Sequence, residues 1–356
     1  MLISDSVMTY KRNLLNIVIF TIVMVSVLLS VNFIVDPFQH FRKAGFYKVT
    51  FDNDIQRYLN SGLLKNYKYD CIITGTSMVQ NFSKKEVDSL LKVDSIKVPF
   101  AGGTAHEFSQ LLGYAISQKK VKTVIYGLDV FSFAGDPLRV TERPKFPFYL
   151  YSDSILNDIR YLVDFKNLLN QMTRVLSANI GGNVNTDLNE AYSWYKEAVF
   201  SKKVTLDEWR ARKERFDTSF KYENYTYDKL ETNFSRNILP HIQQNPKIKF
   251  IIFFPPYSIL AWKDIQEKGW MNDALRLKKY IFEATRQMEH IEIYDFQDIE
   301  DITHSLDNYA DLTHHSHVIN RIIAESFVRN EYLLNESNID YRLDNLRQQV
   351  NKYRLP

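Results

Sequence analysis

The stretch Tyr69-Asp-Cys-Ile-Ile-Thr-Gly-Thr-Ser77-Met-Val-Gln-Asn-Phe82 decides how the rest of the chain is read. Residues 69–74 form a short apolar run of strand length. Gly75 and Thr76 break it, and Ser77 stands at the tip. Ser83 and Glu86 then have the S-x-x-E spacing of a capping box that opens a helix. Strand, sharp turn and helix together hold a serine at the carboxyl edge of a sheet. Backbone N–H groups surround it there, and α/β folds bind ligands and place nucleophiles at that edge. Taken alone, a Gly-x-Ser turn is an ordinary loop. What gives it chemical meaning is a second element near the other end of the chain.

That element is Tyr309-Ala-Asp311-Leu-Thr-His314. A serine alcohol is a poor nucleophile at neutral pH and needs a base. A histidine three residues after an aspartate, on a loop leading into a helix, reaches a serine on a neighbouring loop. The aspartate then holds the imidazole in the useful tautomer. Ser77, Asp311 and His314 are therefore the candidate catalytic residues.

Working outward from Ser77, strand and helix patterns alternate, which predicts an α/β fold: a doubly wound parallel sheet of about five strands with helices on both faces. The strands are expected at 69–74, about 95–100, 122–130, 247–254 and 290–296. Helices are expected at about 84–91, 104–119, 272–289 and 316–330, with Thr104 and Glu107 making a second capping box. Strand 247–254 is continuously apolar, so it is buried on both faces. It runs into Pro255-Pro256-Tyr257-Ser258, where Tyr257 either faces the site or forms a structural corner. Gly102 and Gly103, after the second strand, allow close backbone approach to a substrate oxygen or make a plain turn.

Residues 134–240 interrupt the alternation with a polar, mostly helical insertion that contains Trp194, Trp209 and the glycine-containing stretch 179–185. It is expected over the carboxyl edge of the sheet as a lid or acceptor wall, while its aromatic residues individually read as packing a small core of their own. Residues 37–68 read as a connector with a short helix near 55–64, and Arg57 there reads as a solvated charge. In the tail, 338–356, Ile339, Leu343, Leu346, Val350 and Tyr353 have the spacing of an amphipathic helix that docks on the domain, on a partner or on a membrane surface.

Residues 14–35 carry no charge and span about 33 Å as a helix, enough to cross a bilayer. No small-x-small cleavage site follows, so residues 1–36 read as a cytoplasmic stub and an uncleaved signal anchor. Lys11 and Arg12 ahead of it favour a cytoplasmic N-terminus, although Arg42, Lys43 and Lys48 on the other flank weaken the bias. The net charge of +3 with scattered Lys and Arg argues against a nucleic-acid partner. Cys71 is the single cysteine, so no internal disulfide forms. His304, Asp311, His314, His315 and His317 lie close in sequence, but their spacing does not complete a four-ligand metal site. His315 and His317 read as surface or helix-start residues, and neither metal nor cofactor is expected.

These blocks resemble the SGNH (GDSL-like) hydrolase superfamily. More narrowly, they resemble its membrane-anchored branch of cell-surface polysaccharide O-acetyltransferases and the D-alanyl-transfer protein of teichoic acid synthesis. Gly75-Thr76-Ser77 matches the nucleophile block, Gly102-Gly103 the glycine block, Gly127-Leu128-Asp129 the third block and Asp311-x-x-His314 the base block. The resemblance implies an SGNH-like catalytic domain over 69–337, outside the cytoplasm of a bacterial cell and anchored by a single pass. It implies a Ser77 acyl-enzyme, with His314 as base and Asp311 as its orienter. The oxyanion would be bound by the N–H of Ser77 or its neighbour and one from Gly102 or Gly103. The acceptor would be a polysaccharide or other glycan, and a multi-span membrane acyltransferase would deliver the acyl group. Related sequences also carry an Arg ahead of the nucleophile strand, the place of Arg57. Asp129 stands where the family usually has an Asn that helps bind the oxyanion, and an ionised carboxylate cannot donate a hydrogen bond. Either Asp129 is protonated, or it is structural and the oxyanion hole is built elsewhere. Three readings follow: an anchored O-acyltransferase, acetyl by resemblance; an esterase with the same triad; and a non-catalytic module that binds glycan or organises an assembly.

Overall fold

Five strands, β1 (Cys71–Gly75), β2 (Ser95–Lys97), β3 (Thr123–Gly127), β4 (Lys249–Phe254) and β5 (Ile291–Asp295), form one sheet in the order β2-β1-β3-β4-β5. Every neighbouring pair is parallel. The computed structural model describes residues 2–142, 145–182, 184–214 and 221–354. Met1, residues 143–144, 183 and 215–220 of the expected insertion (Asn183 of its glycine-containing stretch among them) and the last two tail residues lie outside the described residues.

The apolar strands divide by parity between two cores, because successive side chains on a strand point to opposite faces. Ile72, Val124, Phe250, Ile252 and Ile293 enter one core, and Cys71, Ile73, Ile125, Ile251 and Phe253 enter the other. Helices Lys84–Leu91 and His317–Arg329 close the second core through Val87, Ile319, Ile323 and Phe327. Helices Gln56–Asn66, Ala105–Ser117, Tyr227–Asn237 and Met271–Thr285 close the first through Leu59, Phe108, Phe234 and Ile281. The helices thus lie on both faces, as the alternating pattern predicts. β2 is shorter than expected and stops two residues before Pro99, which has no N–H for the ladder.

Three expectations about organisation change. Residues 37–68 are not a free connector, since Phe38, Phe51, Ile55, Leu59 and Leu63 are buried in the main core. Arg57 is not solvated: it is 4% exposed and pairs with fully buried Glu107 at 2.8 Å. The insertion does not extend to 240 as a separate unit, because Tyr227–Asn237 is one of the sheet-covering helices. Among the three docking options for the tail, the domain takes it. Helix Ile339–Lys352 buries Ile339, Leu343, Leu346 and Val350, and Arg342 Nε donates to Asp298 Oδ1 at 3.0 Å.

The chain begins with one continuous helix, Leu2–Val35, whose span Tyr10–Val35 is long and apolar enough to cross a membrane and packs none of its apolar window inside the domain. The helix ends at Asp36, which takes a left-handed φ of 47°. Its carboxylate accepts from the N–H groups of His40 (2.8 Å), Phe41 (2.9 Å) and Arg42 (3.0 Å) and from the Tyr161 hydroxyl (2.9 Å). The helix is therefore tied to the domain at its foot and not joined to it by a loose linker.

Candidate functional site

In the order β2-β1-β3-β4-β5 the direction of winding reverses between β1 and β3, and the crevice beyond the carboxyl ends of those strands is where such sheets bind ligands. Ser77 follows β1 and Asp129 follows β3. Close packing at this point is required: Gly75 has φ 145°, and a Cβ there would stand 2.6 Å from the Gly127 carbonyl oxygen. The strand therefore turns sharply and leaves Ser77 half-exposed, at the start of a single 3-10 turn, Ser77–Val79.

The two distant sequence elements meet here. Ser77 Oγ donates to His314 Nε2 at 2.7 Å, and His314 Nδ1 donates to Asp311 Oδ2 at 2.6 Å. Asp311 is itself fixed, because its Oδ1 accepts from the N–H groups of Thr313 (2.7 Å) and His314 (2.8 Å). With the carboxylate at Nδ1, the proton sits on that nitrogen and Nε2 is left to accept from serine. Burial by itself would raise Asp311, but the hydrogen bonds and charge of His314 outweigh it and hold the carboxyl well below the usual carboxylate range. Burial likewise lowers His314, yet its bond to Asp311 and that carboxylate's charge prevail and raise the imidazole above its ordinary 6.5.

Asp129 resolves into its structural alternative. Its carboxylate is buried and accepts from three donors: the Tyr257 hydroxyl (2.5 Å), Thr76 Oγ1 (2.9 Å) and the Phe131 N–H (3.0 Å). A group engaged this way is not an oxyanion donor. Its work is to hold Thr76, and so the turn that presents Ser77. Tyr257 is a corner and not a wall of the site, because it is fully buried with its hydroxyl on Asp129. Burial, then the charge of Asp129, pushes that phenol well above its ordinary value.

The two glycines separate as well. Gly103 N–H donates to the Phe100 carbonyl at 2.8 Å and is occupied. Gly102 has φ 58°, and neither its N–H nor that of Ser77 donates to any group among the described residues. Ser77 and Gly102 are thus the available backbone donors. Arg57 reaches this block, with Nη2 donating to the Ala101 carbonyl at 3.2 Å, while the Thr104–Glu107 capping box supplies its counter-charge. Ser77, Gly102, Gly103 and Asp129 line a pocket of about 360 Å³. Its far wall comes from the insertion, through Gly135, Asp136, Arg139, Asn224 and Tyr225.

Two residues of the site escape sequence reasoning. Trp194 sets its ring edge-on to His314, centroids 5.4 Å apart at 90°, besides stacking on Phe200 of the insertion, the kind of packing expected of each insertion aromatic taken singly. It is positioned by the N–H groups of Trp194 and Tyr195, both donating to Asn81 Oδ1 at 3.0 and 3.2 Å. Beneath them lies fully buried Lys97 of β2, whose Nζ donates to the carbonyls of Gln80 (2.8 Å) and Phe82 (2.6 Å) and to Ser193 Oγ (3.0 Å). Burial pushes Lys97 down to about 7, while the three acceptors match the three donors of an ammonium. Lys97 therefore clamps the Ser77–Phe82 loop to the segment that carries Trp194. The signal for Lys97 was a lone lysine inside a strand pattern, and Trp194 had none, since it sits in irregular chain.

The other histidines diverge from this centre. His315 is not a surface residue: it is buried, its Nε2 meets Asn320 Oδ1 at 2.7 Å, and burial pushes it down to about 4. His317 starts its helix and stacks on Tyr195, while His304 lies edge-on to Tyr353. Among the described residues, no three His, Cys, Asp or Glu side chains converge as a metal-ligand set. Compared with known proteins, the chain matches no family model, and no curated protein matches it significantly.

Proposed function

We propose that this chain is a membrane-anchored, SGNH-type serine acyltransferase that carries an acetyl group on Ser77 and delivers it to a hydroxyl of an exported polysaccharide. The observation that supports this reading most directly is the hydrogen-bonded series Ser77–His314–Asp311, whose serine lines a polar pocket. In the proposed reaction, Ser77 Oγ attacks the donor's carbonyl carbon as His314 Nε2 takes the serine proton. The resulting oxyanion accepts from the N–H groups of Ser77 and Gly102. The donor's leaving group departs with the proton held by His314, and an acetyl-serine ester remains. An acceptor hydroxyl then gives its proton to His314 and attacks that ester, which forms the new ester and restores the Ser77 alcohol.

Helix Tyr10–Val35 supports anchoring, because it is of spanning length and buries none of its apolar window. With the N-terminus cytoplasmic, the domain faces outward, where the acyl donor is a multi-span membrane acyltransferase and not a soluble thioester. The pocket wall from the insertion, with Asp136, Arg139 and Asn224 beside Ser77, supports a hydroxylated acceptor in place of bare water.

The test uses the full chain in detergent, loaded with 4-nitrophenyl acetate. Ester loss from Ser77 is followed with and without an O-deacetylated oligosaccharide. The transferase reading expects oligosaccharide to speed ester loss and to emerge acetylated. Loss at one rate in both samples, with free acetate as the product, makes the protein an esterase. No acylation of a folded chain leaves the glycan-binding module as the remaining reading.

A further inference from the structure

The chain carries a second surface that catalysis does not use. Helices Ile155–Leu162 and Phe165–Asn179 each bury one side against the domain, through Tyr161 and through Leu168, Val175 and Ala178. On their outer sides they expose Ile155, Leu156, Ile159, Leu169, Leu176 and Ile180. The exposure is large: 74% for Ile155, 72% for Leu156 and 76% for Ile180. Leu169, Leu176 and Ile180 fall on a single helical stripe, spaced seven and four residues apart. Apolar side chains grouped in this way on a soluble surface mark a contact.

The contact is named by where these helices are fastened. Asn32, in the last turn of the N-terminal helix, donates from Nδ2 to the Leu162 carbonyl at 2.7 Å. Tyr161 bonds Asp36, and His40 Nε2 meets Asp158 Oδ1 at 2.6 Å. At the other end, Lys48 N–H donates to Asn179 Oδ1 at 3.0 Å, and Asn179 Nδ2 returns a bond to the Lys48 carbonyl at 3.3 Å. Both helices are thus pinned to residues 32–48, where the anchor leaves the bilayer. The 26 residues Tyr10–Val35 span about 39 Å against a hydrocarbon core of about 30 Å. The turn at Asn32 therefore reaches the headgroup layer, and Leu162 is held at that height. Charge agrees with this placement. Arg160, Lys166, Lys43 and Lys48 are exposed, Asp158 is engaged by His40 and Asp164, between the helices, accepts from the Tyr149 hydroxyl at 2.7 Å, which leaves Asp153 as the exposed acid next to Ile155.

We propose that helices Ile155–Leu162 and Phe165–Asn179 lie in the membrane interface as a second, in-plane attachment. Their outer apolar side chains enter the acyl boundary, and the surrounding lysines and arginines meet lipid phosphates. The occupant is the bilayer of the same membrane, because the patch begins at the foot of the anchor, where Asn32 and Asp36 hold Leu162 and Tyr161. An amphipathic helix of this kind sinks about 5–10 Å into the headgroup–acyl boundary. This inference rests on the spanning reading of the N-terminal helix.

The test is made on the full chain in lipid nanodiscs of phosphatidylcholine and phosphatidylglycerol. Single cysteines are introduced as L28C, L156C, L176C and Y341C and labelled with a small fluorophore. Native Cys71 is buried and stays unlabelled. Brominated lipid is expected to remove most of the emission at positions 28, 156 and 176 and none at 341, with iodide in the buffer giving the reverse order. Quenching at 28 together with iodide-sensitive labels at 156 and 176 overturns the in-plane attachment while leaving the anchor standing. Labels at 156 and 176 shielded from both quenchers, in discs that hold two chains, assign the face to a second copy and overturn it equally. A label at 28 that brominated lipid does not quench removes the anchor and this proposal together.

Discussion

Two aspartates reach the Ser77 turn through different neighbours, Asp311 through His314 and Asp129 through Thr76, and they are built for different work. Asp311 is about one-third exposed, sits on a loop and directs one oxygen at an ionisable partner, His314 Nδ1. Asp129 is buried at the end of the sheet and, among the described residues, accepts from the neutral donors Tyr257, Thr76 and Phe131 N–H. The first carboxylate raises the proton affinity of an imidazole, and the second fixes a backbone turn. Residue type is the same in both, so the division of roles comes from burial and partner chemistry. A carboxylate bonded to the titrating imidazole acts mainly on its proton affinity, whereas one surrounded by fixed donors acts mainly through geometry, its charge reaching His314 only as a smaller raising influence.

This contrast is broken most sharply by removing the groups that the proposed reaction uses. Ser77→Ala or His314→Ala is expected to lower the acylation rate by on the order of 10⁶-fold without loss of fold, measured by stopped-flow release of 4-nitrophenol together with thermal unfolding. Asp311→Asn follows at about 10⁴-fold, because the amide no longer fixes the Nδ1–H tautomer. The same substitution sharpens the comparison through pH. His314 must be neutral to act as base, and Asp311 raises its pKa, so the wild-type rate climbs with pH through a midpoint above 6.5. Asp311→Asn removes the main raising influence, and the midpoint of the residual activity moves toward acid.

Asp129→Asn is expected to act differently. It keeps the shape but puts an amide where Thr76 now donates, so the rate falls by about 10- to 100-fold, while the pH midpoint moves toward acid by less than in Asp311→Asn, because the charge of Asp129 raises His314 less than Asp311 does. Tyr257→Phe leaves the Asp129 carboxylate short of one donor and costs about 1–3 kcal/mol of stability, read from denaturant unfolding. A pH midpoint displaced as far by Asp129→Asn as by Asp311→Asn would erase the distinction between the two carboxylates. The smallest kinetic effect belongs to the tail. Leu346→Ala, at a fully buried position remote from Ser77, costs about 2–5 kcal/mol of stability and leaves kcat and KM of the folded protein unchanged.

The five-stranded parallel sheet and the meeting of Ser77, His314 and Asp311 were legible in the sequence for a shared reason. Strand 249–254 is apolar at nearly every position, and the turn at Gly75 and the Asp311-x-x-His314 spacing are local patterns that burial and turn chemistry impose. The supporting layer was not legible, because it depends on pairs far apart in sequence. Arg57 read as a solvated charge, since only the fold brings Glu107 and Ala101 to it. Asp129 stayed open between protonated and structural, because Tyr257 lies 128 residues away. His315 read as a surface residue, as nothing in its neighbours foretells burial against Asn320. The role of Trp194 is set by Asn81 and Lys97 across an irregular segment with no period to read.

The most direct test is where an acyl group goes when the full chain meets an activated acetyl ester. The chain is quenched in acid within the first turnover, digested, and the acetylated peptide mapped by mass, in wild type and in Ser77→Ala. The account predicts a single acetyl ester on Ser77 that forms in one burst, is slowed by Asp311→Asn, and is absent from Ser77→Ala. An acetyl group found on another residue, or a burst of equal size in Ser77→Ala, would contradict it.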